Sequence, residues 1–198
     1  MLLKLLILFY LFLSIYTQST TSAQVLNDTI ILPILEANPT RSLVPLDFCP
    51  ICPNNVICDT CEIPISNSIQ IRNTMIESRQ ILQFQFPIKS NITNCKLQIG
   101  NLLNNSLNLS PSNSEIIVNE GNNNVITNVN WNNMPNIIKE IGRLDVTLGN
   151  LIDITTTCME YIKLNKTLIL ILSPSELGPT QLYLESKNSN NGAKLIIN

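Results

Sequence analysis

The 198-residue chain contains no histidine. Histidine is the commonest general base at neutral pH and a frequent zinc ligand. Its absence excludes Ser-His-Asp and Cys-His catalytic arrangements and most catalytic zinc sites. Charged residues make up only 13% of the chain and the formal net charge is −2, so no broad basic surface is available for nucleic acid or anionic lipid. We therefore expect no nucleic-acid partner.

Long apolar segments are also scarce, and the clearest one is at the N-terminus. Lys4 precedes an apolar segment at residues 5–15, and small residues occupy positions 21–23. This pattern is typical of a secretory signal peptide that is cleaved before Gln24. The apolar segment is shorter than the roughly 20 residues that a membrane-spanning helix needs. The sequence therefore predicts a signal peptide at residues 1–23, a secreted, extracellular protein and no membrane association after cleavage.

Potential glycosylation sites and cysteines agree with export. Five Asn-x-Ser/Thr sequons are present, at Asn27, Asn91, Asn104, Asn108 and Asn165. All six cysteines follow the predicted cleavage site, namely Cys49, Cys52, Cys58, Cys61, Cys95 and Cys158. An even number of cysteines in an exported chain favours disulfide bonds.

The first four cysteines form a C-x-x-C-x5-C-x-x-C cluster at residues 49–61, which has the paired appearance of a zinc knuckle. The segment between the pairs is shorter than the roughly 15–20 residues common in such zinc sites, and exported thiols usually oxidise. Two local disulfides are therefore favoured over zinc, with their pairing left open. We further expect Cys95 and Cys158 to form a third disulfide.

The region after the signal peptide, residues 24–198, is long enough for one domain with a substantial core. Short apolar-alternating segments are separated by clusters of Asn, Ser, Pro and Gly, which predicts an all-β sandwich. The clearest strand is 79–86, where Leu82, Phe84 and Phe86 would face the core. The other predicted strands are 28–34, 95–99, 115–119, 125–131, 167–172, 181–185 and 194–197. Leu148, Leu151 and Ile152 have helical spacing, whereas threonines at 155–157 disfavour a long helix, so we expect one short helix or crossover near residues 148–158.

Several motifs occur in a characteristic order along the chain. They are R-x-x-L-x-F-x-F at 79–86, C-x-L-x-I at 95–99, N-V-N-W-N-N-M-P at 128–135, D-V-T at 145–147 and L-E-S-K at 184–187. In this order they resemble the DNRLRE-type domain, carbohydrate-binding module family 96. The resemblance spans roughly residues 28–198 and implies a jelly-roll-like β-sandwich that binds polysaccharide without catalysis. The chain departs from the family in the Cys-rich insertion at 49–61 and in Asn188, which replaces an acidic residue.

Two aromatic residues are candidates for stacking on a sugar ring. Trp131 is the only tryptophan, and its W-N-N-M-P context favours packing in the core, with the Asn side chains bonding the turn backbone. Tyr183 is predicted to point away from Leu182 and Leu184, so it is either a surface platform for sugar or a cross-strand partner. Asp28 and Asp145 are candidate ligands for a structural calcium ion, although turn and cap roles are favoured.

Carboxylate-pair glycosidase chemistry needs no histidine, so it stays open as an alternative. The candidate acids are Glu115, Glu120, Asp145, Asp153 and Glu185, but nothing in their spacing selects a pair. The sequence therefore favours a secreted, non-catalytic domain that recognises an extracellular or cell-wall polysaccharide. The alternatives are a structural or adhesive surface protein acting through protein contacts and a small polysaccharide-cleaving enzyme.

Overall fold

The computed structural model describes residues 24–26, 29–32, 34–42, 68–73, 76–86, 92–103, 114–122, 129–177 and 179–198. These residues form strands and one helix, which confirms the predicted all-β sandwich with a short helix. The elements are β1 (Gln24–Leu26), β2 (Thr29–Leu32), β3 (Ile34–Ala37), β4 (Thr40–Ser42), β5 (Ser68–Asn73), β6 (Ile76–Ser78), β7 (Gln80–Phe84), β8 (Cys95–Gln98), β9 (Glu115–Gly121), β10 (Ile137–Asp145), β11 (Leu151–Asp153), α1 (Thr155–Lys163), β12 (Leu168–Pro174), β13 (Gln181–Glu185) and β14 (Lys194–Ile197).

Several predicted features lie outside the described residues. They are the signal peptide at 1–23, the cysteine cluster at 49–61, the sequons at Asn27, Asn91, Asn104 and Asn108, and Asp28. Within the described ranges, no helix is long and apolar enough to cross a membrane.

The described strands form three antiparallel sheets. Sheet I has the order β1-β2-β14-β8-β11, sheet II has the order β10-β9-β12-β7-β3, and sheet III has the order β13-β5-β6-β4. Sheet III adjoins sheet I beyond β8, where Leu102 pairs with Leu184. At this junction a Cβ atom on Gly100 would lie 1.9 Å from the backbone oxygen of Glu185, so only glycine permits the approach. Sheets I and III thus share one layer of the sandwich, opposite sheet II.

The main hydrophobic core lies between sheet II and the opposing layer. Leu82 on β7 and Leu170 on β12 contribute to it from sheet II, while Leu97 on β8 and Leu182 on β13 contribute from the other layer. Leu97 belongs to the predicted set Cys95, Leu97 and Ile99, all of which are fully buried. Alternating apolar residues on the strands therefore fill this core, as period-two patterning requires.

Strand β12 is buried along its whole length, Leu168–Pro174. It pairs with β7 on one side and with β9 on the other, so it lies at the centre of sheet II. A continuously apolar segment is expected for a strand that is covered on both faces. The prediction of a central strand at 167–172 is thereby confirmed.

The strand predictions omit β1, β4, β5, β6, β10 and β11, and the predicted end of one strand is a loop and turn. Residues 129–131, expected to end a strand, belong to a loop and turn, because the Asn side chains there bond the backbone. Strand β10 was not predicted. Its pairing with β9 shifts register between Ile137 and Lys139 and between Glu140 and Gly142, and such bulges interrupt the period-two pattern that identifies a strand.

The helix begins later than the sequence predicts. Leu148 lies in a turn and is 87% exposed, and residues 151–153 form β11, so α1 starts at Thr155. Tertiary contacts stabilise the threonine-rich first turn. The backbone N–H of Cys95 donates to the hydroxyl of Thr155 at 2.9 Å, and the backbone N–H of Thr155 donates to the carboxylate of Asp153 at 2.9 Å. These contacts override the low helix propensity of threonine.

Cys95 and Cys158 form a disulfide that joins β8 to α1 across a sequence separation of 63 residues. Both cysteines are fully buried in the main core. The predicted pairing of these two cysteines is confirmed. Because the bond closes a long loop, it restricts the unfolded chain more than a local disulfide does.

Replacing both cysteines, in the variant Cys95→Ala/Cys158→Ala, should lower the free energy of unfolding by roughly 4 kcal/mol, the loop-entropy value for a closed loop of this length. Urea denaturation of the wild type and the double variant measures the difference. Non-reducing peptide mapping should recover the two cysteines in one cross-linked peptide pair. A free Cys95, or its recovery with a cysteine of the 49–61 cluster, would contradict the pairing.

Glu36 is a carboxylate buried at the edge of the main core. Burial raises its pKa, although hydrogen bonds from the backbone N–H of Lys187 (2.8 Å) and from the Gln80 side chain partly offset this effect. The folded state therefore retains the Glu36 proton to a higher pH than the unfolded chain does. The stability that protonated Glu36 contributes is fully present below the pKa of Glu36 in the unfolded chain, and it is lost as pH rises through the pKa of Glu36 in the folded protein.

We expect Glu36→Gln to remove this titration. The wild type should lose stability relative to the variant as pH rises from about 4.3, the unfolded pKa of glutamate, through the raised pKa of Glu36. Unfolding free energies measured for both proteins from pH 4 to 8 provide the test. Parallel curves over this range would show that Glu36 does not titrate differently in the folded state.

Candidate functional site

The outer face of sheet II, turned away from the main core, is covered along part of its area by the segment 129–136. Val129 and Met134 from this segment pack on Ala37, Ile81 and Ile169. Close coverage is possible because Gly121 lacks a side chain: a Cβ atom there would lie 2.9 Å from Ile169 and 3.3 Å from Pro135. The remaining part of this face forms the floor of an open groove.

The groove has a volume of about 320 Å³, which is at the lower end of the range for small-molecule sites. Its floor includes Ile117 and Asn119 of β9 and Ser173 of β12. These residues alternate with core residues such as Val118 and Leu172. One face of sheet II therefore packs in the main core, and the other face lines the groove. The floor therefore combines an apolar side chain with an amide and a hydroxyl.

One wall of the groove comes from the edge strand β10. Its lining residues Ile137, Glu140 and Arg143 are three positions apart rather than two. The two register shifts in β10 explain the spacing, because each bulge inserts an extra residue between side chains that share a face. The bulges therefore place both the negative Glu140 and the positive Arg143 of β10 on the groove side of the strand.

Arg143 is held by two carboxylates. Its Nε and Nη2 atoms donate to the two oxygens of Glu140 at 2.9 and 3.1 Å, and Nη1 donates to Glu115 at 3.2 Å. The same Glu115 oxygen accepts a 2.6 Å hydrogen bond from the hydroxyl of Ser175, which also lines the groove. The hydrogen bonds from Arg143 lower the pKa of Glu140, so the carboxylate of Glu140 stays ionised to a lower pH than a free glutamate does.

The other wall contains Glu77 of β6 and Arg79, which directly precedes β7. Because the order of sheet II is β10-β9-β12-β7, Arg79 and the β10 wall lie on opposite sides of the β9–β12 floor. The Nη2 atom of Arg79 donates to Glu77 at 3.1 Å. Two Arg–Glu pairs therefore flank the floor, one from each side.

Trp131 adjoins this second wall. The guanidinium carbon of Arg79 is 4.8 Å from the centroid of the indole, which is a cation–π contact. The turn that carries Trp131 is held by side chains: Asn130 accepts from the backbone of Asn132 at 3.0 Å, and Asn133 accepts from the backbone of Asn130 at 2.6 Å. The expected bonding of Asn side chains to the turn backbone is present, but Trp131 is half-buried beside the groove and belongs to neither described core cluster.

Tyr183 lies on a different surface. It faces away from the buried Leu182 and Leu184, as expected, and is opposite Gln70 on the outer side of sheet III. Its hydroxyl accepts a 2.9 Å hydrogen bond from Gln181. The two aromatic candidates are therefore not brought together, and only Trp131 is next to the groove.

Asp145 has a turn-stabilising position. Its Oδ1 atom accepts from the hydroxyl of Ser114 at 2.7 Å and from the backbone and hydroxyl of Thr147 at 2.9 and 2.7 Å. These hydrogen bonds, that from Ser114 foremost, lower the pKa of Asp145. Among the described residues, no group of three or more Cys, Asp and Glu side chains is placed to hold a metal ion.

Two of the candidate catalytic carboxylates are neighbours: Glu115 and Asp145 are cross-strand partners on β9 and β10, Glu115 bound by Arg143 and Ser175 and Asp145 by Ser114 and Thr147. Glu115 and Glu120 occupy opposite ends of β9, so their backbones are roughly 17 Å apart, beyond the separation that glycosidases use. Glu120 is buried, accepts a 2.9 Å hydrogen bond from Tyr161 and pairs with Lys139 at 3.1 Å. Burial, with the Glu120 contact, raises the pKa of Tyr161 above its ordinary value. Asp153 accepts a hydrogen bond from the backbone N–H of Thr155 at the start of α1, and Glu185 lies in β13.

Asn165 is the one sequon asparagine within the described ranges. It is exposed, directly follows the last turn of α1 and has a left-handed backbone with φ of 51°. Asparagine tolerates this conformation better than most residues. Its position on the surface leaves room for a glycan.

A scan of the chain against protein-family models finds no match, and a search of the curated proteins finds no similar sequence.

The indole of Trp131 should report directly on Arg79, because the chain contains a single tryptophan. Arg79→Ala should remove the cation–π contact, worth about 0.5–2 kcal/mol in general, and shift the emission of Trp131 to longer wavelength as water approaches the ring. Arg79→Lys should give a smaller shift, since a cation is retained. Identical emission spectra for all three proteins would contradict the placement of Trp131 on Arg79.

Proposed function

We propose that this chain is a secreted, non-catalytic domain that binds an extracellular or cell-wall polysaccharide in the groove on the outer face of sheet II. The observation that carries the proposal is the groove itself, with two Arg–Glu pairs facing each other across an apolar and amide floor. Hydroxyl-rich ligands need such closely spaced donors and acceptors. An open groove accommodates an internal stretch of a polymer better than a closed pocket does.

The order of motifs that resembles carbohydrate-binding module family 96 supports the same proposal. The R-x-x-L-x-F motif begins at Arg79 and supplies one wall, while the motif at 128–135 supplies Trp131 and the cover of sheet II. Asn119 and Ser173, which belong to neither motif, form part of the floor. Two of the five motifs thus contribute to the groove or adjoin it.

Affinity electrophoresis on a panel of neutral and acidic polysaccharides, followed by calorimetry on the best ligand, tests the proposal. Arg143→Ala should weaken binding by about tenfold or more, since a hydrogen bond to a charged group contributes roughly 1.5–3 kcal/mol. Lys163→Ala removes one positive charge from the last turn of α1, outside the groove, and should bind like the wild type.

A further variant, Tyr183→Ala, and an assay for cleavage products distinguish other outcomes. Loss of binding in Tyr183→Ala with normal binding in Arg143→Ala would move the site to the outer side of sheet III. New reducing ends after incubation with the polymer would instead establish a polysaccharide-cleaving enzyme. Absence of binding to every polymer would contradict the proposal.

A second candidate function is a structural or adhesive role through protein contacts. Leu148 and Leu151, which are 87% and 49% exposed, lie close together in sequence between β10 and α1. Exposed apolar residues of this kind favour protein contact. Concentration-dependent self-association in size-exclusion chromatography that is abolished by Leu148→Ser/Leu151→Ser, with no polysaccharide binding, would favour this alternative.

A further inference from the structure

The charges that line the groove suggest which class of polysaccharide it takes, and this inference rests on the proposed function. Three glutamates, Glu77, Glu140 and Glu176, line the groove, against two arginines, Arg79 and Arg143. The acidic side chains are therefore in excess. A polymer with a negative charge on each sugar unit would meet repulsion along the groove rather than attraction.

Both arginines already have carboxylate partners. Arg143 binds Glu140 through two parallel hydrogen bonds and contacts Glu115 with a third. Arg79 donates to Glu77 and lies against the face of Trp131. A uronate or sulfate group that used the paired edge of Arg143 would have to displace a carboxylate held in the two-bonded geometry that carboxylate–arginine pairs favour, whereas Arg79 is held to Glu77 by a single hydrogen bond.

A neutral sugar avoids this competition. Each hydroxyl donates one hydrogen bond and accepts others, so two neighbouring hydroxyls can donate to a glutamate oxygen and accept from the adjoining guanidinium without separating the pair. The floor residues add an amide at Asn119 and a hydroxyl at Ser173. These groups likewise carry no charge and accommodate hydroxyl ligands.

We propose that the groove recognises an uncharged polysaccharide through neighbouring hydroxyl groups that span the Glu77–Arg79 and Glu140–Arg143 pairs, and that it discriminates against polymers bearing carboxylate or sulfate groups. The two intact pairs act as donor–acceptor units. The excess of glutamates supplies the discrimination against anions.

Matched polymers test this inference. A neutral glucan, a neutral mannan and a neutral galactan are each compared with the same polymer oxidised at C6 to the uronate, so that linkage and backbone stay constant. The wild type should bind at least one neutral polymer ten times more tightly than its oxidised counterpart. Binding to that neutral polymer should change less than twofold between 50 and about 300 mM salt, because no net ion pair forms.

The variant Glu77→Gln/Glu140→Gln removes two negative charges and leaves side chains of nearly the same shape. It should weaken binding to the neutral polymer and improve binding to the oxidised one. The ratio of affinity for the neutral polymer to affinity for the oxidised polymer should therefore fall. Glu160→Gln removes one exposed carboxylate of α1 that lies outside the groove, and this control should leave the ratio unchanged.

The outcomes separate the two proposals. Tighter binding to the oxidised polymer, weakening as salt is raised, would overturn the inference while leaving polysaccharide binding intact. An unchanged ratio in the double variant would likewise overturn it. Failure of every neutral and oxidised polymer to bind would remove the proposed function and this inference with it.

Discussion

Sheet II is buried on both faces, and the need to cover both faces determines how the other elements are arranged around it. Its central strand, Leu168–Pro174, is buried throughout, so both of its faces need a cover. One face is covered by the main core. Of the described residues, those of segment 129–136 cover part of the other face and pack around Ile81 and Ile169. The groove begins beyond this segment, its floor is largely buried, and the change from Ile169 to Ser173 along β12 marks the transition.

Polar contacts complete the groove where apolar packing ends. The hydroxyl of Ser175 and the guanidinium of Arg143 both bind Glu115, which links the end of β12 to the edge strand β10. On the other side of the groove, the side-chain amide of Asn38 donates a 2.6 Å hydrogen bond to the backbone oxygen of Arg79. This bond fixes the backbone that carries the Arg79 guanidinium. A binding surface that is ordered before its ligand arrives loses less entropy on association.

Several parts of the fold that follow a regular period were predicted from the sequence, although the alternating strand Ser68–Asn73 was not. The buried faces of Cys95–Gln98 and Leu168–Pro174 were predictable from alternating or continuous apolar residues. Strand β10 was not, because two bulges give its groove residues a spacing of three. Helix α1 was placed too early, because its threonines are held by β8 and Asp153 rather than by intrinsic propensity.

The candidate site likewise contains residues that the sequence identifies and residues that it does not. Trp131 and its Asn-rich turn were identifiable from sequence, whereas Glu140 and Arg143 carry no motif and become recognisable only when β10 is paired with β9. The spacing of three between Ile137, Glu140 and Arg143 was the available signal, but it indicates a bulged strand only when the partner strand is known.

Amide chemical-shift mapping during titration with a neutral oligosaccharide locates the binding surface. The largest changes should occur at Asn119, Glu140, Arg143 and Ser173, together with the indole N–H of Trp131. Changes confined to the outer side of sheet III around Tyr183, with the groove residues unaffected, would contradict the placement of the binding surface in the groove.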